Sequence, residues 1–300
     1  MSTTSSKDAD IPSLADQTII VTGANSGIGF ESARAFARAG ARVVLACRNM
    51  TKAHHAAGRI RTEAPQSRLE PMQLDLTSLE SVRAFAAEAG KKLPSIDVLC
   101  NNAGVMAVPF SKTKDGFELQ LGTNHLGHFA LTGLLFDKIA ASAPSRIVTV
   151  SSLAHTSGRI RFHDLHSAKG YARWAAYSQS KVANLLFAYE LDRRLRARNL
   201  DVKSVACHPG ISSSNLYKPG PFWTRLSLLI AQSSRQGALP EIYAAVDPHV
   251  QGGDYIGPAR MMETRGLPTK VQSSALSHDP EVAKQLWSAS EELTGVKFLA

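Results

Sequence analysis

Three hundred residues, 44% hydrophobic and 20% charged, suit one large α/β domain, or two small ones, with a full core and the composition of an ordinary soluble globular protein. The net charge of +9 is spread through predicted helices and mixed with acids, so no nucleic-acid partner is expected. Residues 1–16 are polar and Ser/Thr-rich, unlike a signal peptide or anchor, and no later run approaches the ~18 apolar residues of a membrane span.

In chain order, short apolar runs alternate with longer helical patterns, the signature of a parallel sheet covered on both faces. A first strand at 18–21 is followed by a glycine-rich turn and a helix over 28–39, closed by Gly40. A second strand at 42–46 precedes a helix over 51–63, and a third at 69–74 precedes a helix over 78–89. A fourth strand at 96–99, a long helix over 116–141, a fifth strand at 146–150, a helix over 173–197 and a sixth strand at 201–206 complete the alternation. Beyond His208-Pro209-Gly210 the pattern breaks. A flap over 211–250, with an apolar stretch at 222–231 and a short helix at 238–245, precedes an edge strand at 254–257 and a last helix at 280–293. The reading is a single-domain Rossmann fold over 17–300, a doubly wound parallel sheet of about seven strands, behind a flexible tail at 1–16.

The turns after the strands carry the chemistry. Thr22-Gly23-Ala24-Asn25-Ser26-Gly27-Ile28-Gly29 leaves the first strand and opens the first helix. Glycines there let backbone approach a pyrophosphate, and the helix N-terminus offers free N–H donors. The second strand ends at Cys47-Arg48-Asn49 without the carboxylate that would bind a ribose 2′-hydroxyl; Arg48 instead suits a 2′-phosphate. NADP(H) is therefore expected ahead of NAD(H). Asp75, before Leu76, is placed either to accept an adenine amino hydrogen or to cap the following helix. Asn101-Asn102-Ala103-Gly104 follows the fourth strand and Ser151-Ser152 the fifth, so these turns converge outside the strand C-termini. Tyr177 and Lys181, at i and i+4, share a helix face, where an ammonium can stabilise a phenolate. Cys47, Cys100 and Cys207 lie far apart and read as buried reduced thiols. The ten histidines show no ligand spacing, so no metal is expected, and His54-His55 reads as an exposed helix pair. The cluster Arg193-Arg194-Leu195-Arg196-Ala197-Arg198 reads as a solvated helix C-terminus.

From about residue 17 to 260 the chain resembles the short-chain dehydrogenase/reductase family. The matching segments are the glycine turn, Asn101-Asn102-Ala103-Gly104, Asn124, Ser152, Tyr177-x3-Lys181 and Pro209-Gly210. Within that family Val44-Leu45-Ala46-Cys47-Arg48-Asn49, Thr123-Asn124-His125-Leu126-Gly127-His128-Phe129 and Ser151-Ser152-Leu153-Ala154-His155 look like the retinol-dehydrogenase-like branch. The gap of 25 residues from Ser152 to Tyr177 also suits that branch.

The resemblance implies an NADP(H)-dependent oxidoreductase interconverting a carbonyl and an alcohol. Tyr177 would be its general acid or base, Lys181 would lower the pKa of Tyr177, Ser152 would polarise the substrate oxygen, and Asn124 would hold a relay water. Gly23, Asn25, Ser26, Gly27, Ile28, Gly29, Arg48, Asp75, Leu76, Asn102, Ala103, Gly104, Tyr177, Lys181, Pro209, Gly210 and Ser214 would contact the cofactor. Two departures stand out: the branch's membrane members carry an N-terminal anchor, and Ser214 stands where a threonine usually follows Pro-Gly. The apolar flap suggests a hydrophobic small-molecule substrate, the long helices a possible dimer or tetramer, and the absent anchor a cytoplasmic protein. The alternatives are a nucleotide-binding sensor of the same fold and a C=C reductase resembling protochlorophyllide reductase.

Overall fold

In the computed structural model, which describes residues 11–211 and 232–299, eight strands form one sheet in the order β3-β2-β1-β4-β5-β6-β7-β8. Chain order is β1 (Thr18–Thr22), α1 (Gly27–Arg38), β2 (Arg42–Cys47), α2 (Met50–Glu63), β3 (Arg68–Gln73), α3 (Leu79–Lys92) and β4 (Val98–Asn101). The second half runs α4 (Leu119–Leu121), a π-turn (Gly122–Leu126), α5 (Gly127–Ala140), β5 (Ser145–Val150), α6 (Arg173–Ala197) and β6 (Val202–Cys207). It closes with α7 (Ser234–Val246), β7 (Tyr255–Arg260), β8 (Arg265–Lys270) and α8 (Pro280–Thr294).

Strands β1 to β7 pair in parallel. Alternate residues of one strand feed opposite cores, because side chains on a strand alternate with period two. Ile19 and Val21 join Val43 and Leu45 beneath α1, α2 and α7, whereas Ile20 joins Val44 and Leu99 beneath α3, α5 and α6. Both faces are covered, so both sets are apolar, and the strands read as continuous hydrophobic runs. The reversal of strand order falls between β1 and β4, and the site lies over that crevice.

Four expectations need correction. The sheet has eight strands, and β7 is internal because β8 pairs antiparallel outside it. Strand β8 is Arg-Gly-Leu-Pro-Thr-Lys, largely exposed and without an apolar run, as an edge strand allows. The helix expected over 116–141 starts only at Leu119, since Gly116 turns with φ +88°, and it is interrupted by the π-turn. Gly122 and Gly127 flank that turn; a Cβ on Gly127 would lie 2.7 Å from the Leu76 carbonyl. Residues 11–16 are not a free tail: Leu14 is 2% exposed and its N–H donates to Ala39 O. Of the flap, α7 packs on α1, where the Ser32 hydroxyl donates to Glu241. The apolar stretch 222–231 and Ser214 lie outside the described residues.

The cysteines are free and buried, and His54 and His55 are exposed. Within the basic cluster, Arg193 and Arg194 pair with Glu190, and Arg196 pairs with Asp192. Among the described residues no helix is long and apolar enough to cross a membrane.

Candidate active site

Over the sheet's C-terminal edge lies a cleft of about 400 Å³. Its lining includes Gly23, Asn25, Ser26, Gly27, Ile28, Gly29, Arg48, Asp75, Leu76, Asn102, Ala103, Gly104, Tyr177, Lys181 and Pro209. Residues separated by up to 186 positions are thus brought together because every one of these turns leaves the same end of a parallel strand.

The floor is built from backbone. Gly23 leaves β1 with φ +71°, a conformation glycine adopts without strain. Gly29 packs against the same turn: a Cβ there would lie 2.9 Å from Gly23 O and closer still to the Asn102 amide nitrogen. Helix α1 therefore begins right beneath the cleft. Its N-cap Ser26 makes no side-chain cap bond, and no acid occupies the first turn. That arrangement leaves N–H donors and the positive helix end for an anion.

Around the rim, Arg48 follows β2 as an exposed cation. Asp75 does not cap α3, whose N-cap is Ser78; its carboxylate accepts from the Thr77 N–H and hydroxyl in the turn before that helix. Burial opposes ionisation of Asp75, but those bonds, with Lys114 and Arg48 nearby, hold its pKa below the usual carboxylate value. The glycine cradle and the uncapped helix end together fit a dinucleotide's pyrophosphate.

At the inner end stand Tyr177 and Lys181, 6% and 4% exposed. Burial raises the Tyr177 phenol above its ordinary value, and a hydrogen bond with Ser152 opposes the rise. Lys181 was expected to lower that pKa. Its Nζ donates to the Val150 carbonyl at 3.0 Å and lies 5.8 Å from the Tyr177 ring centroid. Burial pulls Lys181 down to about 8, so near pH 7 the ammonium is still charged and the phenol still carries its proton. Of the serine pair, Ser151 donates to the Lys181 carbonyl and is buried, whereas Ser152 is half-buried beside Tyr177.

Asn124 lies in the π-turn, fully buried, and its amide is committed to protein partners. Oδ1 accepts the Val105 N–H, and Nδ2 donates to the Val105 carbonyl and to Ser180 Oγ. The side chain thus braces the Val105 loop against α6. Gly210 lies beside the cleft with φ +66°, beneath the Thr264 carbonyl of the β7–β8 hairpin.

Sequence reading missed two residues that tie the site together. Thr22 Oγ1 accepts the N–H groups of both Asn102 and Ala103 at 2.9 Å, and His128 Nε2 is 2.9 Å from the same oxygen. Thr22 opens the glycine turn and was visible as such. Nothing in helical spacing distinguishes His128 from His125, four residues into a segment that is buried throughout.

This geometry has close counterparts among known proteins. A chain of Mycobacterium paratuberculosis, solved as an uncharacterised protein, is 43% identical with a TM-score of 0.83, covering 97% of each chain. Salutaridine reductase from Papaver somniferum shares the fold at 20% identity and TM-score 0.64, over 80% of this chain and 99% of its own. Retinol dehydrogenase 14 of Mus musculus is 42% identical over 93% of this chain and 86% of its own length. Retinol dehydrogenase 13 of Homo sapiens is also 42% identical, over 94% and 85%. The family model for short chain dehydrogenases matches residues 17–220. The chain therefore belongs to the short-chain dehydrogenase family, in its retinol-dehydrogenase-like branch, and is an NAD(P)-dependent oxidoreductase acting on CH–OH donors.

Proposed function

We propose that this protein is an NADP(H)-dependent oxidoreductase that interconverts a hydrophobic carbonyl compound and its alcohol. The observation that carries the reading is the meeting of Tyr177, Lys181 and Ser152 at the inner end of a glycine-floored cleft whose outer rim carries Arg48. A bound NADPH supplies the hydride. The protein's residues bind, orient and move the proton.

Ser152 and the Tyr177 hydroxyl converge on the substrate oxygen, and Tyr177, protonated near pH 7, donates its proton as the carbonyl is reduced. The phenolate left behind is stabilised by the Lys181 ammonium. A fixed positive charge in a water-poor site is worth more there than in solvent, even across several ångströms. In the oxidative direction the same pair takes the alcohol proton. Asn124 contributes through its side-chain amide, which braces the Val105 loop against Ser180.

Arg48, with no carboxylate at the end of β2, supports the 2′-phosphate over the 2′-hydroxyl. Exposed Phe110, Trp174 and Ile211 support an apolar substrate: Trp174 lies three residues from Tyr177, with ring centroids 6.0 Å apart. The branch's relatives named as retinol dehydrogenases point to the same class.

The test follows NADPH and NADH consumption across a panel of apolar aldehydes and ketones, with Tyr177→Phe in parallel. We expect turnover preferring NADPH, and Tyr177→Phe to lose it by about 10³-fold with NADPH affinity largely kept. An active Tyr177→Phe enzyme would overturn the mechanism. Tight NADPH binding with no turnover of any panel member would favour a sensor instead.

A further inference from the structure

Both ring nitrogens of His128, 1% exposed on the first turn of α5, are bonded. Nδ1 lies 3.0 Å from the Asn124 carbonyl inside the π-turn, and Nε2 lies 2.9 Å from the Thr22 hydroxyl. A carbonyl can only accept, so Nδ1 carries hydrogen. Burial, partly opposed by that bond and reinforced by the charge of Lys181, pulls the ring down to about 4. The imidazole is then neutral near pH 7 and Nε2 is a bare acceptor. The Thr22 hydrogen must point to it rather than to the Cys100 carbonyl, which is 3.2 Å away. The Thr22 oxygen in turn accepts the N–H groups of Asn102 and Ala103.

These bonds all run one way: turn N–H to Thr22, Thr22 to His128, His128 to the Asn124 carbonyl. Such chains reinforce one another in a low-dielectric interior. At the far end Asn124 reaches Ser180, whose hydroxyl donates to the Tyr177 carbonyl. The network therefore spans from the turn that lines the nucleotide cleft to the helix that carries Tyr177 and Lys181.

We propose that His128 is a positioning residue, which holds the Thr22–Asn102–Ala103 turn and the Asn124 carbonyl in one register so that bound cofactor and catalytic helix keep a fixed separation. The kinetic half of this proposal rests on the oxidoreductase reading above; the binding half does not. A residue that merely filled space would be replaceable by any side chain of similar volume.

Three variants separate the two ends of the imidazole. His128→Asn carries an amide nitrogen in place of Nδ1, His128→Gln carries an acceptor oxygen in place of Nε2, and His128→Leu carries neither. Each is measured for NADPH dissociation constant by nucleotide fluorescence, for kcat at saturating NADPH, and for Tm. With His128→Leu we expect kcat to fall about 100-fold, as small misplacements of reacting groups do, and NADPH affinity to fall about tenfold through the loosened turn. His128→Asn should recover much of the kcat loss with affinity still weak, and His128→Gln should recover affinity with kcat still low. Parallel losses in Asn and Gln that simply track Tm would overturn the proposal. So would a His128→Leu enzyme with kcat and NADPH affinity within about threefold of the parent. If the parent protein turns over no carbonyl, the oxidoreductase reading fails separately, and the Asn-against-Gln split in NADPH affinity still decides the binding half.

Discussion

Helices α1 and α6 serve the same cleft by opposite means. Helix α1 presents its end: it buries one stripe, Gly29, Phe30, Ser32, Ala33, Phe36 and Ala37, and offers the ligand only backbone. Helix α6 presents its side: it is buried without a break from 176 to 192, and that run includes Ser178, Gln179, Ser180, Lys181 and Asn184. Backbone donors at a helix end cost little, because they lack intrahelical partners in any case. Buried polar side chains need partners or shifted protonation. The difference predicts that α1 can be damaged by adding atoms, and α6 by removing charge.

The largest expected effect is on α6. Lys181→Met keeps the volume of the side chain and removes its charge. Without the ammonium the Tyr177 phenolate has no stabilising cation, and turnover should drop by at least about 100-fold. Stability should move the other way. Folding depresses the lysine from 10.5 to about 8, so the unfolded chain binds the proton more tightly between those values. The folded state therefore carries its full penalty below pH 8, about 3 kcal/mol from that shift, and sheds it as pH rises toward 10.5. Val150 O keeps Asn184 as a donor when Lys181 is gone. A thermal denaturation series should show the Met variant more stable at pH 7, with its advantage shrinking above pH 8. Lower stability at pH 7 would mean that Lys181 supports the fold, and the contrast between the helices would weaken.

A smaller effect is expected on α1. In Gly29→Ala the new methyl meets Gly23 O and the Asn102 amide, so it pushes the glycine turn away from the Asn102-Ala103 turn. NADPH affinity measured by fluorescence titration should fall about tenfold, while kcat at saturating NADPH changes little because no side chain of α6 has moved. Unchanged affinity would show that the cleft floor yields more easily than its packing suggests.

The same contrast accounts for what could be read from sequence. Strands β1, β2 and β4 are buried on both faces, so their apolar runs stand out whatever surrounds them. The glycine turn and the Tyr177–Lys181 spacing are local and directly legible. Strand β8 was not, because an exposed edge containing Pro268 needs no apolar face. The π-turn left the 3.6-residue pattern intact on either side, so 116–141 read as one helix. The roles of Thr22, Asn124 and His128 depend on partners up to 106 positions away, and no local pattern encodes such a contact. The shift of Lys181 was hidden for the same reason: burial on every side comes from the tertiary fold.

The smallest effect tests the buried Ser32–Glu241 contact of α1 against the buried Lys181 of α6. Beneath α1 the Ser32 hydroxyl donates to Glu241 of α7 at 2.5 Å, with the Cys100 thiol facing the same carboxyl. Burial raises Glu241 from 4.5 to about 7, the opposite direction from Lys181 but by the same cause. Its folded pKa exceeds its unfolded value, so the folded state holds the proton more tightly between pH 4.5 and 7. Stability is fully present below about 4.5 and declines as pH rises through 7. Glu241→Gln keeps an acceptor for Ser32 and cannot ionise. It should therefore leave Tm almost unchanged at pH 5 and raise it by a few degrees at pH 9, where the parent carries a penalty of about 3 kcal/mol. Turnover at pH 7 should be unaffected, because Glu241 lies under the sheet and away from the cleft lining. A variant with altered turnover and pH-independent stability would show that α1 transmits side-chain chemistry to the site, as α6 does.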